Sequence, residues 1–579
     1  MSQTSDAAAP ALSPQRREEA FAGMVSEPLD VLVIGGGVVG CGSALDAATR
    51  GLRVGLMEAR DLASGTSSRS SKLIHGGLRY LEMLDFALVG EALRERDLLL
   101  QRLAPHLVRP VSFLYPLRHR AWERAYVGAG IAAYDLLGAV SRRSRGLPRH
   151  RHHTRTSALR LAPGLRADAL VGAVQYWDAQ VDDARHTLFV ARTAAAHGAL
   201  VATRTRVTGL LREGERVVGV VARDLESGRE LQVRARQVLN ATGVWTDETL
   251  ALADESGLFQ VRASKGVHLV VPRDRIDSSS GIILRTETSV LFVIPWGSHW
   301  IIGTTDTDWD LDKAHPAASA SDIDYLLSHV NAVLNRPLTS ADVQGVYAGL
   351  RPLLSGESDA TSTLSREHAV GRPVPGLVLV AGGKYTTYRV MARDAVDAVA
   401  RGLTDDTGWA VPASRTDEVP LLGAVDFDAC WKSRAEIARR HGLPGSVVEH
   451  LLGRYGTLVD EVLALVAADP SLADRLPLSA DYLRAEVVYA TAYEGARHLD
   501  DVLTRRTRLS IEGFDRGVAA ATDVADLMGQ VLGWSAAQRR SEVEHYLQRV
   551  AAERESQQMP DDETADAARL GAADVVPLS

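Results

Sequence analysis

Residues 31–40 read VLVIGGGVVG, and this run predicts how the first part of the chain folds. Its four leading apolar residues predict a buried parallel strand, and its glycines have the spacing G-x-G-x-x-G. In such a turn Gly35 permits a tight bend, Gly37 lets the backbone approach a pyrophosphate, and Gly40 lets the following helix pack on the strand. The first turn of that helix presents N–H groups that suit phosphate oxygens.

A second strand completes this pattern and ends in an acidic residue. Residues 53–58 read RVGLME, and Glu58 follows Gly37 by 21 residues. At that spacing a carboxylate can accept hydrogen bonds from a ribose hydroxyl. Glycine turns are common, so the turn alone is weak evidence, but strand, turn, helix and distal acid together predict dinucleotide binding. They do not distinguish NAD from FAD.

The next segment favours FAD. Residues 63–71 read ASGTSSRSS, and seven of these nine are serine, threonine or glycine. Short side chains with hydroxyl donors suit a loop that binds phosphate and a ribityl chain. A flexible serine-rich linker is the alternative, but it fits poorly with the run LIHGGLRY that follows at residues 73–80.

Residues 70–82 read SSKLIHGGLRYLE, and this long run resembles the signature of the FAD-dependent, quinone-linked glycerol-3-phosphate dehydrogenases. The resemblance extends over about residues 27–550, with Leu350 and Tyr385 as mild departures. The other matching segments are DAQVDDAR at 178–185, NATGVW at 240–245, KGVH at 265–268, IGTTD at 302–306, GLRPL at 349–353 and GGKYTTYR at 382–389.

Segments with nucleotide-fold signatures alternate with segments of other character. We therefore predict an α/β protein with a discontinuous FAD-binding Rossmann-like domain, an antiparallel-sheet substrate domain and a helical C-terminal cap domain. The FAD-binding domain is assigned to residues 27–110, 171–262 and 344–400, the substrate domain to 111–170 and 263–343, and the helical domain to 401–552. Residues 1–26 are rich in Ala, Ser and Pro, and residues 553–579 are polar and acidic, so both are predicted to be disordered tails.

Composition excludes several classes of function. The chain is 46% apolar and 24% charged, and its net charge of −8 gives no bias toward nucleic acid. Cys41 and Cys430 are its two cysteines, and neither has the spacing of a metal site, so we expect free thiols in a reducing cytoplasm and no metal. No apolar stretch reaches the roughly 18–20 residues that a membrane span requires.

The resemblance implies noncovalent FAD and oxidation of sn-glycerol 3-phosphate to dihydroxyacetone phosphate by hydride transfer. No cysteine stands at a plausible flavin-attachment position, which favours noncovalent binding. Of the expected contacts, Val207 is assigned by motif position alone, as an amide facing adenine, and His75 as a flavin neighbour. The expected cofactor contacts are Gly35, Gly37, Gly40, Glu58, Thr66, Ser67, Ser70, Ser71, Lys72, His75, Gly76, Gly77, Val207, Ala241, Thr242, Gly243, Gly383, Lys384, Thr386 and Thr387.

The substrate needs cations for its phosphate and a base for its hydroxyl proton. Guanidinium forks suit phosphate oxygens, and the resemblance implies a phosphate site formed by Arg79, Tyr80, Arg366 and Lys384. Arg351 is expected both to contact the phosphate and to stabilise an alkoxide-like oxygen. His268 is the candidate general base. A structural histidine bonded to a backbone carbonyl remains the alternative for His268.

A basic stretch suggests a contact with a membrane surface. Residues 118–160 contain ten arginines, and the apolar stretch 126–137 lies among them. Basic residues that flank a shallowly inserted apolar face are typical of a peripheral contact with anionic lipid. A solvated face beside an ordinary buried helix is the alternative. Because the family passes electrons to a membrane quinone, we expect a cytoplasmic protein bound peripherally to the inner face of the cell membrane.

Other functions remain to be weighed at this point. A glycerol-3-phosphate oxidase that uses O₂ stays open, because oxygen reactivity depends on cavities near the flavin. An amine or amino-acid oxidase would favour a carboxylate clamp, and the run at 73–82 argues against it. A flavin-bound scaffold without activity would require the cationic pocket to be idle. Expected partners are glycerol 3-phosphate, the quinone and anionic lipid, and a homodimer is left open.

Overall fold

The computed structural model describes residues 11–77, 86–119, 122–140, 147–253, 260–286, 290–354 and 367–578. Within these ranges the strands form one sheet of eight and one of ten strands. In chain order the strands are β1 Leu29–Ile34, β2 Val54–Met57, β3 Leu73–Ile74, β4 Val108–Leu117, β5 Arg151–Thr154, β6 Gly172–Val181, β7 Leu200–Ala202, β8 Thr205–Glu213, β9 Arg216–Asp224, β10 Glu230–Asn240, β11 Val261–Pro272, β12 Gly281–Arg285, β13 Val290–Trp296, β14 His299–Gly303, β15 Thr307–Asp308, β16 Gly345–Leu354, β17 His368–Gly371 and β18 Leu377–Gly382.

Helices cover the first sheet and continue into a region of their own. In chain order the α-helices are α1 Pro14–Ser26, α2 Val38–Thr49, α3 Phe86–Leu98, α4 Trp122–Val140, α5 Arg155–Leu161, α6 Asp183–Ala196, α7 Thr246–Ala251, α8 Ala320–Asn331, α9 Tyr388–Thr407, α10 Phe427–Lys432, α11 Arg434–His441, α12 Gly445–Tyr455, α13 Val459–Ala468, α14 Arg484–Tyr493, α15 Leu509–Glu512, α16 Ala521–Leu532, α17 Ala536–Ser556 and α18 Asp562–Arg569. None of the helices described is long and apolar enough to cross a membrane.

The first sheet has the parallel centre that the opening run predicts. Its order is β17-β18-β10-β1-β2-β7, and the pairs from β18 to β7 are parallel. Strand β1 lies between β10 and β2, and Val31, Leu32 and Val33 are fully buried. A parallel strand covered on both faces needs apolar side chains in both directions, which explains the unbroken run.

The prediction of a disordered N-terminal tail is corrected by a helix that packs on one face of this sheet. Helix α1 packs there, with Phe21 and Met24 in the same core cluster as Leu32. The Ser13 hydroxyl accepts a hydrogen bond from the Arg16 N–H and caps the helix. The prediction of disorder for residues 1–26 is therefore wrong for 14–26, because a few spaced apolar residues suffice when a sheet face is available. Residues 1–10 lie outside the described residues.

The second sheet is antiparallel except where β12 pairs with β4. Its order is β15-β11-β14-β13-β12-β4-β6-β3, with β16 beside β11 and β5 beside β6. Three of its strands, β3, β6 and β16, fall within ranges that we assigned to the FAD-binding domain, and β3 pairs with β6. The motifs near these strands belong to the cofactor side, but their backbones pair with β4 and β11. Sequence motifs alone do not reveal that pairing.

The helical region begins after α9 and shares its core with the first sheet. One core cluster contains Val33 of β1, Leu188 of α6, Leu451 of α12 and Val524 of α16. The predicted tail at 553–579 is corrected as well, since α17 continues to Ser556 and α18 follows. A polar helix has little apolar periodicity, and α18 is held by ion pairs of Asp562 and Arg569 together with the buried Ala565.

Candidate functional site

A cavity of about 960 Å³ lies between the carboxyl ends of the parallel strands and the second sheet. Ligands of open α/β sheets bind at this edge. Both candidate catalytic residues, His268 and Arg351, line it. The predicted cofactor contacts that line it are Gly35, Gly37, Glu58, Thr66, Ser67, Ser70, Ser71, His75, Val207, Ala241, Thr242, Gly243, Gly383, Lys384 and Thr386.

The glycine turn after β1 leaves no room for side chains. Gly35 has φ +110°, and a Cβ there would stand 2.7 Å from the Ala241 carbonyl oxygen. A Cβ on Gly40 would stand 1.9 Å from the Gly35 carbonyl oxygen. Gly40 itself does not line the cavity, and its role is to let α2 pack against the turn. The turn has the close backbone approach that a pyrophosphate needs.

The serine-rich loop lies over the start of α2. The Ser67 hydroxyl accepts a hydrogen bond of 2.9 Å from the Val38 N–H, and a Cβ on Gly37 would lie 3.3 Å from the same hydroxyl. Asp183 fixes the loop from the other side, because it accepts hydrogen bonds from the Ser70 N–H and hydroxyl at 2.9 and 2.7 Å. The loop therefore surrounds the helix N-terminus with short polar side chains.

Glu58 stands at the end of β2, in the wall of the cavity. Its carboxylate accepts hydrogen bonds from the Gly36 N–H at 2.6 Å and the Arg60 N–H at 2.7 Å. Burial raises the pKa of Glu58, and these two bonds oppose the rise. Each carboxylate oxygen can accept a further hydrogen bond, so the group remains suited to a ribose hydroxyl.

Lys72 is a correction to the predicted cofactor contacts. Its ammonium is fully buried away from the cavity, 2.7 Å from the Asp183 carboxylate and 3.1 Å from the Ser68 carbonyl oxygen. Burial and the charge of Arg508 lower the pKa of Lys72, while Asp183 opposes them. A buried cation needs a paired anion. Lys72 therefore holds the loop in place and does not face the cavity.

Gly76, Gly77 and Thr387 also do not line the cavity. The Gly76 N–H donates to the Tyr134 hydroxyl at 2.7 Å, and a Cβ on Gly76 would meet the Tyr134 ring. Gly77 has φ +78°, which favours glycine in the turn. The Thr387 hydroxyl points to the Lys384 carbonyl oxygen at 3.4 Å. These residues shape the backbone around the site.

His268 lies in the wall formed by the second sheet. Its Nε2 is 2.8 Å from the Ser71 hydroxyl, and its ring stacks on Tyr347 with centroids 4.7 Å apart. Burial, followed by the charges of Arg351 and Lys72, holds the pKa of His268 well below its usual value. Nδ1 is buried and has no hydrogen-bond partner among the residues that the structure describes. The imidazole is therefore neutral and oriented, and its ring nitrogens make no bond to a backbone carbonyl.

Arg351 is held firmly by its neighbours. Its guanidinium donates to Asp306 and Thr304 at 3.1 and 3.0 Å, and also to the Ser264 hydroxyl and the Thr305 carbonyl. A Cβ on Gly266 would lie 2.5 Å from Arg351 Nη2, so that glycine makes room for the guanidinium. The side chain is 22% exposed. Arg351 is therefore a positioned donor for the predicted phosphate contact, and the carboxylate of Asp306 partly offsets its charge.

The turn after β18 brings Lys384 and Thr386 to the cavity. The His75 N–H donates to the Thr386 hydroxyl at 3.1 Å, and that hydroxyl points back to the His75 carbonyl at 3.3 Å. This contact joins the loops of the two sheets beside the cavity. Arg79, Tyr80 and Arg366, the other predicted phosphate contacts, lie outside the described residues.

Several lining residues were not predicted. Trp245 lies beside the serine-rich loop, where a Cβ on Gly65 would stand 3.1 Å from its ring, and the NATGVW motif could have identified it. Tyr347 does not line the cavity, but it stacks on the lining residue His268 and stands two residues before the GLRPL motif. Arg60 and Leu578 also belong to the wall, and nothing in their local sequence marks them.

Two family models match the chain. A family model described as FAD dependent oxidoreductase matches residues 30–398, and one described as the C-terminal domain of alpha-glycerophosphate oxidase matches residues 414–539. The chain is 58% identical over 564 residues to glycerol-3-phosphate dehydrogenase 2 of Mycobacterium tuberculosis, with 97% of this chain and 95% of that protein covered.

More distant relatives extend the comparison. The chain is 37% identical over 554 residues to the mitochondrial glycerol-3-phosphate dehydrogenase of Mus musculus, covering 92% of this chain and 74% of that protein. The solved structure of the glycerol-3-phosphate dehydrogenase from Bacillus halodurans complexed with FAD matches with a TM-score of 0.76 at 29% identity, covering 93% of this chain and 98% of that one. The predicted fold class and FAD cofactor are thereby confirmed.

Proposed function

We propose that this chain, which belongs to the FAD-dependent family of glycerol-3-phosphate dehydrogenases, oxidises sn-glycerol 3-phosphate to dihydroxyacetone phosphate and passes the electrons to a membrane quinone. One observation carries the proposal: His268, Arg351 and Lys384 line the same cavity as the glycine turn. A base and two cations beside a dinucleotide site are what oxidation of a phosphorylated alcohol requires. Bound FAD supplies the acceptor for the hydride that leaves carbon 2 of the substrate.

His268 would take the proton of the carbon-2 hydroxyl. A neutral imidazole can accept that proton, and its depressed pKa keeps it neutral at physiological pH. The bond to Ser71 and the stacking on Tyr347 hold the ring in one orientation. Because the base is oriented before substrate binds, its orientation adds little to the activation free energy.

Arg351 would stabilise the oxygen that gains negative charge as its proton leaves. Its guanidinium is fixed by Asp306 and Thr304, so donors already point along the wall before substrate binds. Lys384 and Arg351 would share the phosphate dianion, with Arg79, Tyr80 and Arg366 proposed to complete its site.

Anaerobic mixing tests the substrate. We expect sn-glycerol 3-phosphate to bleach the flavin absorbance of the purified holoenzyme, and glycerol or sn-glycerol 1-phosphate to leave it unchanged. Absence of bleaching would contradict the proposal. Reoxidation should then be fast with a soluble quinone analogue and slow with O₂, whereas stoichiometric peroxide with sluggish quinone reduction would identify an oxidase. Yellow colour in the supernatant after acid precipitation would confirm noncovalent FAD; colour that stays in the pellet would exclude it.

Helix α4 supports the proposed contact with the membrane. Trp122 and Tyr126 are 64% and 52% exposed, and with the exposed Ala125 and Ala129 they form one apolar face at helical spacing. Soluble surfaces seldom leave such a face uncovered. Arg118, Arg149, Arg151, Arg155 and Arg160 are exposed in the flanking segments.

This surface, named here the α4 face, is where we propose that the protein meets the inner leaflet of the cell membrane. Aromatic side chains would enter the headgroup region, and each nearby arginine would add about 1 kcal/mol of attraction to anionic lipid. Salt screens that attraction over roughly 8–10 Å.

Vesicle sedimentation tests the α4 face. The Trp122→Ser/Tyr126→Ser variant should bind vesicles of anionic lipid more weakly than the wild type. The Arg151→Glu/Arg155→Glu variant should bind more weakly than the wild type at low salt, and this difference should disappear at high salt. Turnover with a soluble dye should be unchanged in both. The control is Trp409→Ser/Phe514→Ser, which removes exposed aromatic residues elsewhere. Equal sedimentation of all variants would place the membrane contact on another surface.

A further inference from the structure

Residues 559–578 form an ordered segment, named here the C-terminal segment, that runs along the second sheet toward the cavity. Its first contact is a hydrogen bond of 2.8 Å from the Ala320 N–H to the Met559 carbonyl. Helix α18 follows and is capped by Asp561, which accepts a hydrogen bond of 2.9 Å from the Thr564 N–H. The cap shows that the segment has a defined start.

The second contact ties α18 to the strand that carries His268. Lys265 of β11 is fully buried, and its ammonium pairs with Asp322 of α8 at 2.6 Å and with Asp562 of α18. Removal of either carboxylate would leave a buried cation with less compensation. The position of α18 is therefore coupled to the wall of the site.

The third contact lies at the mouth of the cavity. The Asp574 carboxylate is 3.1 Å from Arg60 Nη2 and 2.7 Å from His315 Nε2. Burial opposes ionisation of Asp574, but the hydrogen bond and charge of His315, with the charge of Arg60, hold its pKa well below its usual value. Arg60 follows Glu58 by two residues, so this ion pair adjoins the carboxylate assigned to the ribose.

The last contact places the segment in the wall itself. Leu578 lines the cavity, and its carbonyl accepts a hydrogen bond from the guanidinium of Arg206. Arg206 precedes Val207 in β8, the strand assigned to adenine. The segment 311–314 lines the same part of the wall, and His315 connects it to Asp574.

We propose that the C-terminal segment is a part of the FAD site, a strap that closes the adenosine end of the cavity. Arg60, Arg206 and Asp574 hold the strap across the opening, and Leu578 supplies an apolar wall on the inside. FAD then leaves only after the Asp574 pair with Arg60 and His315 opens. Bound FAD and the docked strap stabilise each other. If FAD contacts the strap only in its docked conformation, FAD binding shifts the equilibrium toward that conformation.

The rate of FAD release from the holoenzyme tests the strap. Release is followed by the rise in free flavin fluorescence after dilution. Loss of a hydrogen-bonded ion pair of this kind corresponds to roughly tenfold, so we expect Asp574→Asn to release FAD about ten times faster than the wild type. Deletion of residues 571–579 should release it faster still. Glu563→Gln, an exposed carboxylate on α18, is the matched control and should release FAD at the wild-type rate.

A second measurement separates the strap from a general loss of stability. With FAD at saturation, the melting temperature of Asp574→Asn should stay within a degree or two of the wild type although release is faster. A folded deletion variant that releases FAD at the wild-type rate would overturn the proposal. If the deletion variant does not fold, Asp574→Asn decides alone, and an unchanged release rate overturns the proposal.

Discussion

The two sheets contribute to the cavity in different ways. The parallel sheet offers backbone: a turn where Gly35 and Gly40 leave no space for a Cβ, and a helix start capped by Ser67. The antiparallel sheet offers side chains, chiefly His268 and Arg351, each held by partners of its own. Backbone suits the part of FAD that is common to many enzymes, and side chains suit the reaction. Substitutions in the first sheet should therefore lower the FAD content or affinity, and substitutions in the second sheet should lower kcat/KM.

The largest effect is expected from Gly40→Ala. The added Cβ would stand 1.9 Å from the Gly35 carbonyl oxygen, which cannot move without the turn. Overpacking of this kind costs about 1–3 kcal/mol or more, and the cost falls on the turn that approaches the pyrophosphate. We expect the purified variant to contain little FAD by absorbance. Gly130→Ala is the control, because its Cβ would meet no described atom within 4 Å; a normal flavin content in Gly40→Ala would contradict the backbone argument.

The second effect is expected on turnover. Arg351→Ala removes a charge-assisted contact worth about 1.5–3 kcal/mol, so kcat/KM for sn-glycerol 3-phosphate should fall by roughly one to two decades. FAD content should not change, because Arg351 is fixed by Asp306 and Thr304 on the second sheet. Arg351→Lys should restore part of the charge but not the fork geometry. A normal kcat/KM in Arg351→Ala would remove this residue from the site.

The same contrast explains what the sequence could predict. The glycine turn and Glu58 lie within one strand-turn-helix-strand unit, and their geometry follows from that unit alone, so a sequence pattern can predict this end of the cavity. His268 meets Ser71 across 197 residues of sequence, and Lys72 meets Asp183 across 111. A sequence pattern within one segment cannot predict contacts between side chains that are so far apart in the chain.

Some misassignments have the same origin. Lys72 stands in a motif rich in cofactor contacts, and only the position of Asp183 shows that its side chain turns inward. The tails were predicted to be disordered because their local composition is polar. Phe21 finds a sheet face, and Asp562 finds the buried ammonium of Lys265. Both partners are remote in sequence, so composition gave no sign of them.

A moderate effect is expected at Glu58, a side chain that the parallel sheet contributes beside its turn. Glu58→Gln would place an amide NH₂ against the N–H group of Gly36 or of Arg60, where the carboxylate now accepts from both. FAD affinity should fall roughly tenfold by equilibrium dialysis, since a hydrogen bond to a charged group is worth about 1.5–3 kcal/mol. With FAD at saturation kcat should be unchanged. Glu449→Gln, whose carboxylate pairs with Arg434 at 2.8 Å on the helical region and does not line the cavity, is the control, and equal affinities in the two variants would refute the role of Glu58.

The smallest effect concerns pH and the neutral His268. Its pKa is lowered in the folded protein by burial, Arg351 and Lys72, whereas an unfolded chain protonates near 6.5. Below that value the unfolded state therefore binds the additional proton. The stability that this group contributes is complete above pH 6.5 and is lost as pH falls toward the folded pKa, by about 1.4 kcal/mol per pH unit.

Melting temperatures at pH 7.5 and 5.5 test this sign. Between pH 7.5 and 5.5 the melting temperature of the wild type should fall further than that of His268→Gln. The difference should be about a few degrees for a protein of this size. Other groups titrate alike in both proteins and cancel in the comparison. His441→Gln, at a partly exposed position, should behave as the wild type. Equal losses in the two proteins would show that the pKa of His268 is the same in the folded and unfolded states. A smaller loss in the wild type than in His268→Gln would show that the folded protein holds a protonated imidazole at pH 7.5, a cation where we infer a base.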